Sequence, residues 1–139
     1  MMHKFALVSL LLIAACDPQT RSQNADSCAK LAMQERATSN YSGPKEFPAM
    51  QHRIAQKIIY PLEARYALQQ GSVCLRLRID REGVLRSYKI VYTSQYPLLD
   101  EAAIHAAKDA SPYPIASENF FGDHNLQEFL IPIHFSLHD

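Results

Sequence analysis

The strongest constraint on the fold is a change of period that begins just after Gly71. Val73, Leu75, Leu77 and Ile79 alternate with Cys74, Arg76, Arg78 and Asp80. A repeat of two puts the four aliphatic side chains on one face of a strand and the others on the opposite face, whereas on a helix the same residues would wind around the whole surface. Residues 73–80 therefore read as a half-buried strand that needs a cover for one face and a partner along its length. Asp80-Arg81-Glu82-Gly83 reads as a turn, and residues 84–93 as the returning strand of a hairpin. Leu85, Tyr88, Ile90 and Tyr92 are its expected inner set, and the parity slip between Leu85 and Tyr88 predicts a bulge near Arg86 and Ser87.

Residues 97–110 read as a helix: Pro97 opens it, Asp100 and Glu101 lie in its first turn, Lys108 is near its end, and Ser111-Pro112 follows. Leu99, Ala103, Ala106 and Ala110 make one face, small enough for the helix to lie close to a sheet. Residues 126–137 read as the last strand, with Phe129, Ile131, Ile133, Phe135 and Leu137 pointing one way. Pro132 lacks an N–H, so that strand needs an edge or a gap in its ladder. Upstream, residues 50–59 and 62–70 read as two short helices separated by Tyr60-Pro61, with Gly71 as the C-cap of the second.

The chain has 139 residues, room for one ordinary domain. Fourteen Lys and Arg balance fourteen Asp and Glu, with no block of like charge, which argues against a nucleic-acid partner. At 47% apolar and 20% charged residues it is able to bury a core.

The N-terminus stands apart from that core. Lys4 precedes an uncharged run from Phe5 that is too short to span a bilayer, the build of a secretory signal peptide. Its ending, Ile13-Ala14-Ala15-Cys16, resembles the lipobox of bacterial lipoproteins. On that reading residues 1–15 are the signal, Cys16 is lipidated, residues 16–47 are a proline-bearing tether with a modest helical stretch near residues 27–36, and residues 48–139 are the folded domain. A tether of roughly 30 residues reaches about 100 Å at ~3.3 Å per residue. Asp17 directly after the lipid site resembles the enteric signal for inner-membrane retention. The expected location is the periplasmic side of the inner membrane, with the outer membrane as the alternative.

Tyr60-Pro61 with Ala64-Arg65, Gly71-Ser72-Val73, Asp80-Arg81-Glu82-Gly83, the run from Leu98 to Ala103, the proline-rich loop after it, and the run from Ile131 to Leu137 resemble, in order and spacing, the C-terminal domain of the TonB energy-transducer family. The resemblance covers about residues 48–137. It implies a small α+β domain: a three-stranded antiparallel sheet with helices packed on one face. It also implies a periplasmic, non-enzymatic protein that binds outer-membrane transporter segments by adding their extended N-terminal peptide to the sheet. The accepting edge falls on the last strand, at Phe129, Ile131, Ile133, His134, Phe135 and Leu137. The chain departs from the family where a full transducer carries an uncleaved transmembrane helix that engages a proton-driven motor and a long proline-rich segment. A lipoprotein signal and short tether offer no evident route for force, so binding is expected and transduction by this chain alone is doubtful. The alternative is a structural or regulatory lipoprotein that pairs with a second copy through the same edge; a third reading has it join a motor through another subunit.

Cys28 and Cys74 are the cysteines left after lipidation, in an oxidising compartment, and Cys74 lies on the outer face of its strand by parity. They read either as one disulfide or as two independent thiols. Among the six histidines, His134 and His138 share strand parity and His124 precedes them, but no spacing suits a metal, and surface histidines are the better reading. No nucleophile elbow, P-loop or Gly-x-Gly-x-x-Gly is present, so neither an enzyme nor a cofactor is expected. Tyr88, Tyr92, Tyr96 and Tyr113 read as core-completing residues rather than a recognition surface. Arg76 and Arg78 read as solvated charges on the sheet face.

Overall fold

The computed structural model describes residues 26–31, 33–34, 47–115 and 121–137. Helix α1 (Phe47–Ala55) and the short α2 (Leu62–Tyr66) precede strand β1 (Gly71–Asp80), which turns into β2 (Leu85–Tyr92). Helix α3 (Pro97–Asp109) and β3 (Leu126–Phe135) complete the domain. The three strands form one antiparallel sheet in the order β2-β1-β3. The alternating strand is thus the central one, paired on both sides, as a strand with a wholly apolar face requires.

The helices lie on the odd-numbered face of β1. Val73, Leu75, Leu77 and Ile79 are all buried there with Phe129, Ile131, Ile133 and Phe135 of β3, Leu99, Ala103, Ala106 and Ala107 of α3, and Met50 and Ile54 of α1. Each buried aliphatic side chain contributes about 1.5–3 kcal/mol. The alanines set the helix-to-sheet distance, since the strand side chains fill the space that larger residues on α3 would need.

The turn at the end of β1 is held by Asp80. Its carboxylate accepts from the N–H groups of Glu82 and Val84 at 3.0 and 2.9 Å and pairs with Arg86. Partial burial opposes its charge, but the Val84 N–H, the Arg86 guanidinium and the Glu82 N–H outweigh that and hold its pKa below the ordinary carboxylate value. Gly83 has φ +83°, and a Cβ there would stand 2.1 Å from the carbonyl oxygen of Tyr113. The loop after α3 closes over this glycine, with Tyr113 donating its N–H to Gly83 at 2.7 Å and its hydroxyl to Ala107 at 2.6 Å. At the other end of β2, Asp100 accepts from the Ser94 N–H and hydroxyl at 2.8 and 2.6 Å and from the Thr93 hydroxyl. That fastens the first turn of α3 to the sheet.

Several sequence expectations need correction. Helix α1 starts three residues earlier than expected and ends at Ala55, so residues 56–59 lie outside it. Helix α2 ends at Tyr66, not Gln70: Leu68 takes φ +53° and the Tyr60 hydroxyl binds the Gln69 carbonyl, which turns the chain into β1. Gly71 is therefore the first residue of β1 and caps no helix. Its lack of a side chain serves a close approach, because a Cβ there would sit 3.1 Å from that of Ser94. The bulge at Arg86 is present, as the shift from the Arg78–Ser87 pair to Ile79–Leu85 shows. A second shift between Cys74 and Leu75 leaves Val91 over. That bulge sends Tyr92 to the outer face, while Tyr88 is 42% exposed beneath the Lys108 ammonium, 4.9 Å from its ring centroid. Of the expected inner set, only Leu85 and Ile90 pack on the main core.

The outer face carries a second cluster. Cys28 and Leu31, from the stretch read as tether, pack with Cys74, Leu130, Val91 and Tyr92. Residues 26–31 and 33–34 are helical.

Candidate functional site

Both outer strands of a three-stranded sheet are edges, and they are not equivalent. Strand β2 carries both register shifts, and bulges twist and break a row of main-chain groups so that it is a poor template. Strand β3 pairs with β1 over ten consecutive positions, from Gly71–Phe135 to Asp80–Leu126, with no shift. No described strand lies on its far side. Its alternate N–H and C=O groups therefore form a straight, regularly spaced row apart from Pro132, and the proline lies in an edge strand, where its missing donor is tolerated.

The expected site residues divide by parity. Phe129, Ile131, Ile133 and Phe135 are 5%, 1%, 3% and 1% exposed and anchor the strand to the core. They hold the edge in place, and the main chain is what they present. His134 is exposed on the outer face, where its Nδ1 lies 2.7 Å from the hydroxyl of the buried Ser72. Leu137 lies beyond the end of β3 and is half-buried, its N–H donating to the Gln70 side chain at 3.1 Å. An incoming strand would thus meet Glu128, Pro132 and His134 on the outer side, all exposed.

Ser72 and Glu128 were not singled out from the sequence. Glu128 bridges Arg78 at 2.9 Å and lies 3.7 Å from Arg76. Its parity with His134 was visible, but its position opposite Arg78 needs the β1–β3 register. Arg76 and Arg78 lie together on the outer face. Cys28 and Cys74 are joined in the structure, with 5.8 Å between their Cα atoms. His124 lies in the loop before β3, and Cys16 and His138 lie outside the described residues. Among the described residues no three His, Cys, Asp or Glu side chains are grouped to hold a metal ion, and no helix is long and apolar enough to cross a membrane.

A groove of about 410 Å³ runs between α3 and residues 57–61, with Ile59, Pro61, Leu98 and Ala102 among its lining residues. It lies apart from the β3 edge and brings no nucleophile–base pair together. The buried Tyr113 phenol is held neutral by desolvation, which raises its pKa against the opposing influence of Arg53. With its hydroxyl committed to Ala107 it serves packing.

This architecture has solved counterparts. The solution structure of the Helicobacter pylori TonB C-terminal domain, residues 179–285, matches with a TM-score of 0.60 at 24% identity, covering 76% of this chain and 94% of that one. A shorter version of the same domain, residues 194–285, matches with a TM-score of 0.56 at 25% identity, covering 70% and 99%. No curated protein matches the chain. The family model for the Gram-negative bacterial TonB protein C-terminal matches residues 56–137, from the end of α1 through β3, and the chain belongs to that family.

Proposed function

We propose that this protein is a lipid-anchored, non-enzymatic binding module that captures an extended segment of an outer-membrane transporter by strand addition at β3. Domains of this family interact with outer-membrane transporters, and the family is one of periplasmic, inner-membrane-associated proteins. The observation that carries the reading is the uninterrupted ten-position register of β3 beside a β2 edge that is bulged twice. Main-chain pairing along β3 would provide affinity. Selectivity would come from side chains that meet His134, Pro132 and Glu128 on one face and the core rim on the other. The anchor is Cys16, supported by the lipobox-like ending Ile13-Ala14-Ala15-Cys16.

The test is titration of the purified protein with N-terminal peptides of outer-membrane transporters from the same organism, following amide shifts and molecular mass together. Shifts centred on residues 131–137 with a one-to-one mass are expected. No shift with any peptide, together with a stable dimer, would refute capture and favour self-pairing through the same edge.

A further inference from the structure

Strand β3 has two sets of main-chain groups, and the register tells them apart. Asp80, at the end of β1, donates its N–H to Val84 at 3.0 Å and accepts from Gly83 at 2.9 Å, so its main chain faces the hairpin and not β3. Main-chain direction alternates along a strand, and the β1–β3 register runs unshifted from Asp80–Leu126 to Gly71–Phe135. The odd-numbered residues of the two strands therefore bond to each other, and the even-numbered residues of β3 turn their N–H and C=O groups to the open edge. Leu137 agrees, since its N–H reaches back to the Gln70 side chain beside the start of β1. Pro132 is even-numbered and exposed. The donors of the edge are thus the N–H groups of Leu126, Glu128, Leu130 and His134, with a gap at Pro132. Neighbouring donors stand ~7 Å apart at ~3.4 Å per residue, but Leu130 and His134 are ~14 Å apart.

We propose that Pro132 sets the register of the segment added to β3, and that it selects an extended peptide whose main chain bulges opposite it. The inference rests on strand addition at this edge. Whether the incoming strand runs parallel or antiparallel, one of its carbonyls falls opposite Pro132 and meets a ring carbon where an N–H would stand. In a regular strand that carbonyl is left without a donor and is pushed from the edge, at the cost of one hydrogen bond. A bulge turns it to water, and a glycine at the bulge allows this with least strain. An N–H beside it still reaches the Pro132 carbonyl. An unbroken edge would accept the same segment shifted by two residues with equal main-chain bonding and the same side chains on each face. Here such a shift moves the bulge away from Pro132 and sets a regular carbonyl against the ring. The main chain, which otherwise reads no sequence, thereby gains one fixed reference point, with extended residues on either side of the bulge bonding Leu130 and His134.

Amide hydrogen exchange of the protein alone checks the parity. Glu128, Leu130 and His134 should exchange about tenfold or more faster than Ile131 and Ile133, and equal protection would overturn the assignment. The tightest binder among the transporter N-terminal peptides, with a nitroxide at one end, then reads the register by its broadening of β3 amides. With the native protein, protection gained at Leu130 and His134 and broadening at one end of β3 are expected. Pro132→Ala adds a donor at an exposed position, so the same peptide should bind about fivefold tighter, the effect of one hydrogen bond, and should broaden both ends of β3 as registers become equivalent. Unchanged affinity with one broadened end in both proteins would overturn the role of Pro132 and leave strand addition intact. No protection at Leu130 and His134 with any peptide would overturn strand addition, and the inference with it. A Pro132→Ala protein that dimerises without peptide would make the proline a guard against self-pairing and overturn its role as selector. Should that variant fail to fold, the native complex still decides, because broadening at both ends there would overturn the single register.

Discussion

Gly83→Ala and Gly122→Ala form an internally controlled pair. Both glycines have positive φ, +83° and +52°, so an alanine at either pays for a left-handed backbone, about 1 kcal/mol. Around Gly122 nothing among the described residues lies within 4 Å of the added Cβ, and that strain is the whole expected effect. At Gly83 the new carbon would stand 2.1 Å from the Tyr113 carbonyl oxygen, with two more Tyr113 backbone atoms at 3.1 Å. The loop must retreat, which breaks the Tyr113-to-Gly83 hydrogen bond, about 1 kcal/mol. It also draws the buried Tyr113 ring and its bond to Ala107 out of register, about 1–2 kcal/mol more. The totals are about 3–4 kcal/mol for Gly83→Ala and about 1 kcal/mol for Gly122→Ala. In a domain of this size each kcal/mol lowers Tm by about 4–8 °C. Urea unfolding of the oxidised proteins, with matched m-values, reads the difference directly. A Gly83→Ala loss no larger than that of Gly122→Ala would refute the claim that the loop closes on this glycine.

Ala103→Leu should destabilise by about 1–3 kcal/mol, because Ala103 is fully buried where α3 meets the sheet and three added carbons have no space; thermal unfolding checks it. The acid limb of stability should depend on Asp80, whose folded pKa is lowered. Its contribution is present above the unfolded value of about 3.9 and is lost as pH falls through the folded one, so Asp80→Asn should flatten that limb in urea titrations. The alkaline limb should depend on Tyr113, whose folded pKa is raised. Stability that is full below about pH 10 should decline as pH rises further, and Tyr113→Phe should remove that decline.

What could be read from the sequence follows from which faces are one-sided. The alternation from Val73 to Ile79 was legible because β1 buries one complete apolar face. The Arg86 bulge was legible because a charged residue interrupts the parity. Its companion at Val91 was hidden, since Val91 and Tyr92 are both apolar and either one reads as inward. Tyr88 failed for a related reason: a tyrosine on the inner face at the sheet's margin satisfies the pattern while remaining exposed under Lys108. The end of α2 was illegible because it depends on Leu68 taking a left-handed conformation that no leucine advertises. The edge character of β3 was announced by Pro132. The ion pairs of Glu128 belong to a register that only the folded sheet defines.

The central strand also dictates when the domain comes into being. Gly71 pairs with Phe135 and Asp80 with Leu126, so β1 finds half of its hydrogen bonds only in β3, a segment made after the hairpin and α3. The hairpin of β1 and β2 forms early and locally, but it exposes a full apolar face and an unpaired inner edge until that segment arrives. Folding is therefore a late event of high contact order, with the nascent hairpin aggregation-prone in the interval. A chain truncated before β3 would carry β1 as an open template and not a smaller version of the same domain.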